Sequence, residues 1–218
     1  MRIVVVASGD LAVDDERYLD QAEMVIAADA GAERLDRIGR APDRLVGDLD
    51  SISGELVDRL ATAGVTIDRH PPDKDASDTE IALTAAIEAG ATTIVVLGAI
   101  GGSRLDHELA NLLLLADSAL AGRDVRIVHG PTTVRLLHAR DRLELIGSTG
   151  DLVTLLPVGG DAAGIATVGL RWPLEGATLL FGRSRGLSNE VIEAPASVSL
   201  ERGTLLVIEH HPLGEPPA

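Results

Sequence analysis

Short β-branched runs alternate with helical patterns through the first 130 residues. Ile3–Ala7, Met24–Ala28, Thr93–Leu97 and Val125–Val128 are almost continuously apolar, as strands of a parallel sheet buried on both faces must be. Leu45-Val46 adds a shorter strand just ahead of Gly47. Helices are predicted between them. Ser53–Ala63 stops at Gly64 and Asp78–Ala89 at Gly90, each glycine suited to the left-handed conformation that follows a last turn. Ser77 precedes Glu80 by three positions, the spacing of a capping box in which each side chain serves the other's backbone N–H. A further helix is predicted from about Leu105 to Ala121, ending at Gly122.

Past Gly130 the pattern changes. TTVRLLHA, DRLELIG, GDLVTLLPV, ATLLFG and GTLLVIEH are short extended runs separated by polar or glycine-rich turns, with no long helical period. The fold class this implies is α/β over residues 1–130, followed by a smaller all-β domain over 131–218. The closing HHPLGEPPA is expected to fray.

Composition narrows the chemistry. The 218 residues are 45% apolar, enough for a substantial core, and no apolar stretch approaches the ~20 residues of a spanning helix. The opening MRIVVVASGD runs into charge too soon for a secretion signal, so the cytoplasm is the expected compartment, with no membrane partner. No cysteine is present, which removes disulfides, thiolate nucleophiles and cysteine-bound zinc. Any metal must sit on oxygen or imidazole. A net charge of -15 and the lack of any basic stripe argue against a nucleic-acid partner. Lys74 is the one lysine, and Tyr18, Trp172 and Phe181 are the three aromatics.

Three clusters carry candidate chemistry. Gly47-Asp48-Leu49-Asp50-Ser51 follows a short strand, and two carboxylates one residue apart in a turn can converge on one hard cation; the same residues also suit a solvated turn. Asp73-Lys74-Asp75-Ala76-Ser77-Asp78 leads into the capped helix and places Asp78 at its first position, where the helix dipole favours the ionised carboxylate. Acids also occupy first turns for stability alone, and Lys74 suits either a phosphate contact or a surface ion pair. The third cluster, Gly98-Ala99-Ile100-Gly101-Gly102-Ser103-Arg104-Leu105-Asp106-His107, is a glycine-rich turn between strand and helix. Its backbone N–H groups and Arg104 can hold an anion, although the lysine of a P-loop is missing. His107 and Asn111 share a helix face, where a histidine is more often structural than catalytic. In the second part, Trp172 reads as a core anchor and Ser188-Asn189 as turn residues.

Taken in order and spacing, Ala28-Asp29-Ala30-Gly31, the Gly47–Ile52 motif, Asp73–Asp78 and Gly101–His107 resemble thiamine pyrophosphokinases. Gly169-Leu170-Arg171-Trp172-Pro173-Leu174 and Ser188-Asn189-Glu190 resemble that family's thiamine-binding β-domain, so the likeness runs from about residue 28 to residue 207. The chain departs from the family at Ala30, where glycine or arginine is usual, at Leu49, where an aromatic is usual, and in one extra residue at Ser103. The resemblance implies a Rossmann-like parallel-sheet nucleotide-binding domain followed by a β-sandwich, in a homodimer with active sites between subunits. It implies Mg²⁺ on Asp48, Asp50 and Asp78, with ATP on Asp29, Lys74, Arg104 and Asp106. Asp50, Asp78 and Arg104 would act in catalysis, and thiamine would meet Ser188 and Asn189, with Trp172 packing. Two other readings remain: a pyrophosphokinase for another small alcohol such as a hydroxymethylpterin, and a non-catalytic nucleotide-binding module.

Overall fold

A computed structural model describes residues 1–211, so the expected fraying beyond His211 lies outside the described residues. The chain divides into two compact units, Met1–Gly130 and Pro131–Ala218.

The first unit is a six-stranded parallel sheet. Its strands are β1 (Arg2–Val6), β2 (Met24–Ala28), β3 (Arg44–Gly47), β4 (Thr66–Arg69), β5 (Thr93–Leu97) and β6 (Asp124–His129), in the order β6-β5-β1-β2-β3-β4. Its helices are α1 (Glu16–Asp20), α2 (Gly31–Arg37), α3 (Gly54–Thr62), α4 (Asp78–Glu88) and α5 (Leu105–Leu114). Both faces are covered. Val4, Val6, Ala27, Leu45, Val95 and Leu97 point into one core with Leu35 of α2 and with Leu56, Val57 and Leu60 of α3. On α4, Ala82, Ala85 and Ala86 are buried, and these small side chains allow close packing against β1, β2 and β3. The strand order reverses between β1 and β5, the place where open α/β sheets open a crevice at the carboxyl ends of their strands.

Two expected elements differ. The helix predicted to reach Ala121 ends at Leu114. Asp117 then accepts a hydrogen bond from Ala119 N at 2.9 Å and starts a separate 3-10 turn over Ser118–Leu120. β4 was not legible from pattern, because its Thr-Ile-Asp-Arg sequence forms an edge strand paired only with β3.

The second unit is all-antiparallel. Its strands are β7 (Thr132–His138), β8 (Asp141–Glu144), β9 (Leu152–Pro157), β10 (Ala162–Val168), β11 (Ala177–Leu179), β12 (Asn189–Glu190), β13 (Ser197–Leu200) and β14 (Thr204–His210). They form two sheets, β12-β9-β14-β7 and β11-β10-β13-β8. Leu137, Val153, Leu155, Leu205 and Val207 of one sheet share a core with Ile165, Leu179, Val198 and Leu200 of the other, as in a sandwich. Glu209 is fully buried and accepts from Arg135 Nη2 at 2.5 Å, Ile146 N at 2.7 Å and Gly147 N at 3.0 Å. One ion pair thus ties β14 to β7 and to the loop after β8.

Candidate active site

Acidic residues gather where β2 and β3 end and α4 begins. Asp29 follows β2 in the left-handed region at φ 43°, and Asp48 follows β3. Asp78 is the first residue of α4, held there by the Ser77 hydroxyl, which accepts from Glu80 N at 3.2 Å. One carboxylate oxygen from each of Asp29, Asp48 and Asp78 lies within 4.8 Å of the others. Gly47 makes this possible: a Cβ there would stand 3.0 Å from Asp78 Oδ1 and 3.2 Å from Asp29 Cβ, and its φ of +140° is one that glycine adopts freely.

Lys74 supplies the cluster's single positive charge. Its Nζ donates to Asp48 Oδ2 at 2.7 Å and lies 3.1 Å from Asp78 Oδ1. Burial opposes the ammonium, but these two partners prevail and raise its pKa. Asp48 is correspondingly lowered, chiefly by the Lys74 hydrogen bond. Asp29 moves the other way: burial raises it, the charges of Asp78 and Asp48 add to the shift, and Ser51 and the Ala30 backbone oppose it. The Oδ1 atoms of Asp29 and Asp78 are buried without a hydrogen-bond partner, the latter having only the charge contact with Lys74. Three converging carboxylates, two of them with a buried oxygen that lacks a hydrogen bond, form a donor set that fits a hard divalent cation, with the Lys74 ammonium as the cation now among them.

Of the expected metal residues, the structure brings Asp48 and Asp78 together. Asp29 joins the cluster, and Asp50 stands outside it, exposed, accepting from the Ser51 hydroxyl at 2.9 Å. The cause is Leu49, whose φ of 64° and burial in the core turn the chain between the two aspartates. For Asp29, its position directly after a buried apolar strand was the available signal.

The glycine-rich turn after β5 is satisfied internally. Gly101 N and Gly102 N both donate to Glu108 Oε1, at 3.0 and 2.8 Å. Arg104, at the amino end of α5, is exposed and makes two bonds to Asp106, at 2.9 and 2.6 Å. This pairing holds the Asp106 carboxyl well below the usual carboxylate range. Asn111 is buried and donates to Ala99 O at 2.8 Å, while His107 is exposed, so these two residues do not act as a pair. Arg34 carried no sequence signal, yet it braces the loop after β1, donating to Gly9 O at 3.1 Å and Ser8 O at 3.1 Å and facing Asp10 at 3.4 Å.

In the second unit Trp172 is 58% exposed, which corrects the expectation of a core anchor. Asn189 holds the turn that presents it: Oδ1 accepts from Trp172 N at 3.1 Å and Nδ2 donates to Trp172 O at 2.8 Å. Most of the Asn189 amide is thus committed to the protein itself. Ser188, at φ 55°, has its N–H on Thr154 Oγ1 at 3.0 Å and its side chain exposed. Arg171 lies over the Trp172 ring at 5.8 Å and pairs with Glu190 at 3.0 Å.

Fold and site together define a mixed α/β protein with an acidic edge at its parallel strand ends, joined to an antiparallel β unit. Residues 16–128 match the family model described as thiamin pyrophosphokinase, catalytic domain, and residues 138–205 match thiamin pyrophosphokinase, vitamin B1 binding domain. Thiamine pyrophosphokinase of Bacillus subtilis (strain 168) is 26% identical over 208 residues, spanning 94% of this chain and 97% of its own length. The crystal structure of thiamin pyrophosphokinase from Geobacillus thermodenitrificans is 31% identical with a TM-score of 0.81, covering 97% of this chain and 98% of that one. The Bacillus subtilis structure, 24% identical, shares the fold at a TM-score of 0.86 over 98% of this chain and 100% of its own. The chain belongs to the thiamine pyrophosphokinase family, and is therefore an enzyme of the transferase class.

Proposed function

We propose that the chain transfers diphosphate from ATP to thiamine. The thiamine hydroxyl attacks the β-phosphorus, the bond from that phosphorus to the oxygen bridging it to the α-phosphorus breaks, and thiamine diphosphate and AMP leave. The observation that carries this reading is the Asp29, Asp48 and Asp78 cluster, set in a chain matched by both a pyrophosphokinase catalytic domain and a B1-binding domain. We assign Mg²⁺ to these three carboxylates, where it would offset the charge of the ATP phosphates and of the group in flight.

The remaining roles follow from what each side chain is free to do. Lys74, already shared between Asp48 and Asp78, serves the phosphates. Arg104 is exposed and can exchange Asp106 for a phosphate using the same planar pair of donors. Asp50, outside the ligand cluster and exposed, takes the hydroxyl proton. On the thiamine side, Ser188 offers an exposed hydroxyl and Trp172 an indole face for a cationic ring, with Asn189 positioning the indole. Leu105, Leu109 and Leu113 form an exposed apolar stripe at helical spacing on α5, directly after Arg104. A second copy of the chain suits that stripe, and would place the homodimer interface beside the nucleotide side of the site. No described helix is long and apolar enough to cross a membrane, and the cytoplasm is the compartment we assign.

Incubation of purified protein with ATP, thiamine and Mg²⁺ should give AMP and thiamine diphosphate in equal amounts, and EDTA should stop both. Use of a hydroxymethylpterin with thiamine ignored would overturn the specificity and leave the chemistry. Absence of AMP with every alcohol would overturn the proposal. No observation favours the pterin or the non-catalytic reading.

A further inference from the structure

Adjacent N–H groups in a glycine-rich turn ahead of a helix are suited to a phosphate. In this chain a carboxylate already holds them. Glu108 is the fourth residue of α5, and side chains on a helix lean toward its amino end, which brings Oε1 to both Gly101 N and Gly102 N. The turn cannot readily move off this contact. Gly101 has a φ of +90°, and a Cβ on it would lie 2.4 Å from the His129 ring, so the turn is pressed onto β6; a Cβ on Gly102 would lie 3.5 Å from Gly9 Cα. The other anion-binding group of the segment, Arg104, is likewise held by an acid of the same helix, Asp106.

We propose that Glu108 acts as an internal anion, competing with the phosphates of ATP for the Gly101 and Gly102 amides and so setting the affinity for nucleotide. The inference rests on the proposed use of ATP and deepens it. Nucleotide must displace one carboxylate from two N–H groups and then remain near its charge. Both side-chain hydrogen bonds of Glu108 run to the glycine-rich turn, so its effect falls on the nucleotide.

The test compares wild type with Glu108→Gln, which keeps the shape and loses the charge, and with Glu108→Ala. Binding of ATP with Mg²⁺ is measured by calorimetry, and KM for ATP and for thiamine by AMP release. In Glu108→Gln the Kd and KM for ATP should fall about fivefold to tenfold, the scale of a lost competing charge-assisted bond, with the thiamine KM unmoved. If Glu108 were only a strut for the turn, both variants would bind ATP equally or more weakly, and that result overturns the proposal. Should Glu108→Ala fail to fold, Glu108→Gln decides alone. A wild type that neither binds ATP nor releases AMP would defeat the proposed function itself; an active wild type with unaltered ATP affinity in Glu108→Gln defeats only this role.

Discussion

Asp29→Asn separates a metal ligand from an ordinary buried polar residue. Asparagine tolerates the left-handed conformation that Asp29 adopts at φ 43°, so the change removes a charge and leaves the backbone undisturbed. With carboxylate oxygens within 4.8 Å of one another and an effective dielectric of ~20, each pair repels by about 3.5 kcal/mol. Asp29 faces two such partners, while Lys74 lies 2.7 Å from Asp48 and 3.1 Å from Asp78 and offsets most of the total. Removing the Asp29 charge should then release on the order of 1–2 kcal/mol, or about 2–8 °C in Tm for a chain of this size. Thermal unfolding in EDTA should show Asp29→Asn more stable than wild type. Mg²⁺ at a hundredfold excess over its Kd should stabilise wild type by about 2.7 kcal/mol and the variant by less than half of that. The pH dependence has a definite sign. Asp29 is raised in the folded state, so its contribution is favourable below its unfolded pKa and is lost as pH rises through the folded one. The advantage of Asp29→Asn in EDTA should therefore shrink on acidification. A variant no more stable than wild type without metal, and stabilised equally by Mg²⁺, would refute the assignment.

Other substitutions test separate parts of the site. Asp78→Asn should lower kcat by about a hundredfold or more and weaken the Mg²⁺-induced rise in Tm, whereas Asp50→Asn should lower kcat and leave that rise intact; matching metal responses would return Asp50 to the ligand set. Trp172→Ala should shift Tm by no more than about 2 °C, since the indole is exposed, while raising the thiamine KM about fivefold to tenfold and sparing that of ATP. A large loss of stability would restore its packing role. Glu209→Gln leaves Arg135 buried without its counter-charge and should cost about 3–5 kcal/mol in denaturant unfolding; a loss below about 1 kcal/mol would show the pair to be dispensable.

Strands buried on both faces were legible because nothing but apolar side chains can occupy them: β1, β2, β5 and β6 lie within a residue or two of the runs that predicted them. The edge strand β4 was hidden, since one side lacks a partner strand and polar residues satisfy the rest. The end of α5 was hidden differently. Leu112 to Ala121 keeps a helical composition, and a single aspartate, Asp117, diverts the chain by capping a new turn. At the site, Asp48 and Asp78 were readable from local motifs, because a strand end and a capped helix start fix where each points. Asp29 and Asp50 were not separable by spacing, as the decision rests on the backbone angles of Leu49 and Gly47. Trp172 was misread because apolar character alone does not reveal that Asn189 grips its backbone and turns the ring outward.

The solitary ε-amine of this chain sits inside the acidic cluster, and that has a practical side. Reagents that acylate or cross-link amines meet no other lysine, so once the Met1 α-amine is blocked, coupling the protein to a dye or a resin by that route would aim at the acidic cluster. Low exposure and a raised pKa should make the amine sluggish. With the α-amine blocked, its reaction rate reports whether Asp48 and Asp78 are holding Lys74 or have released it on binding another cation.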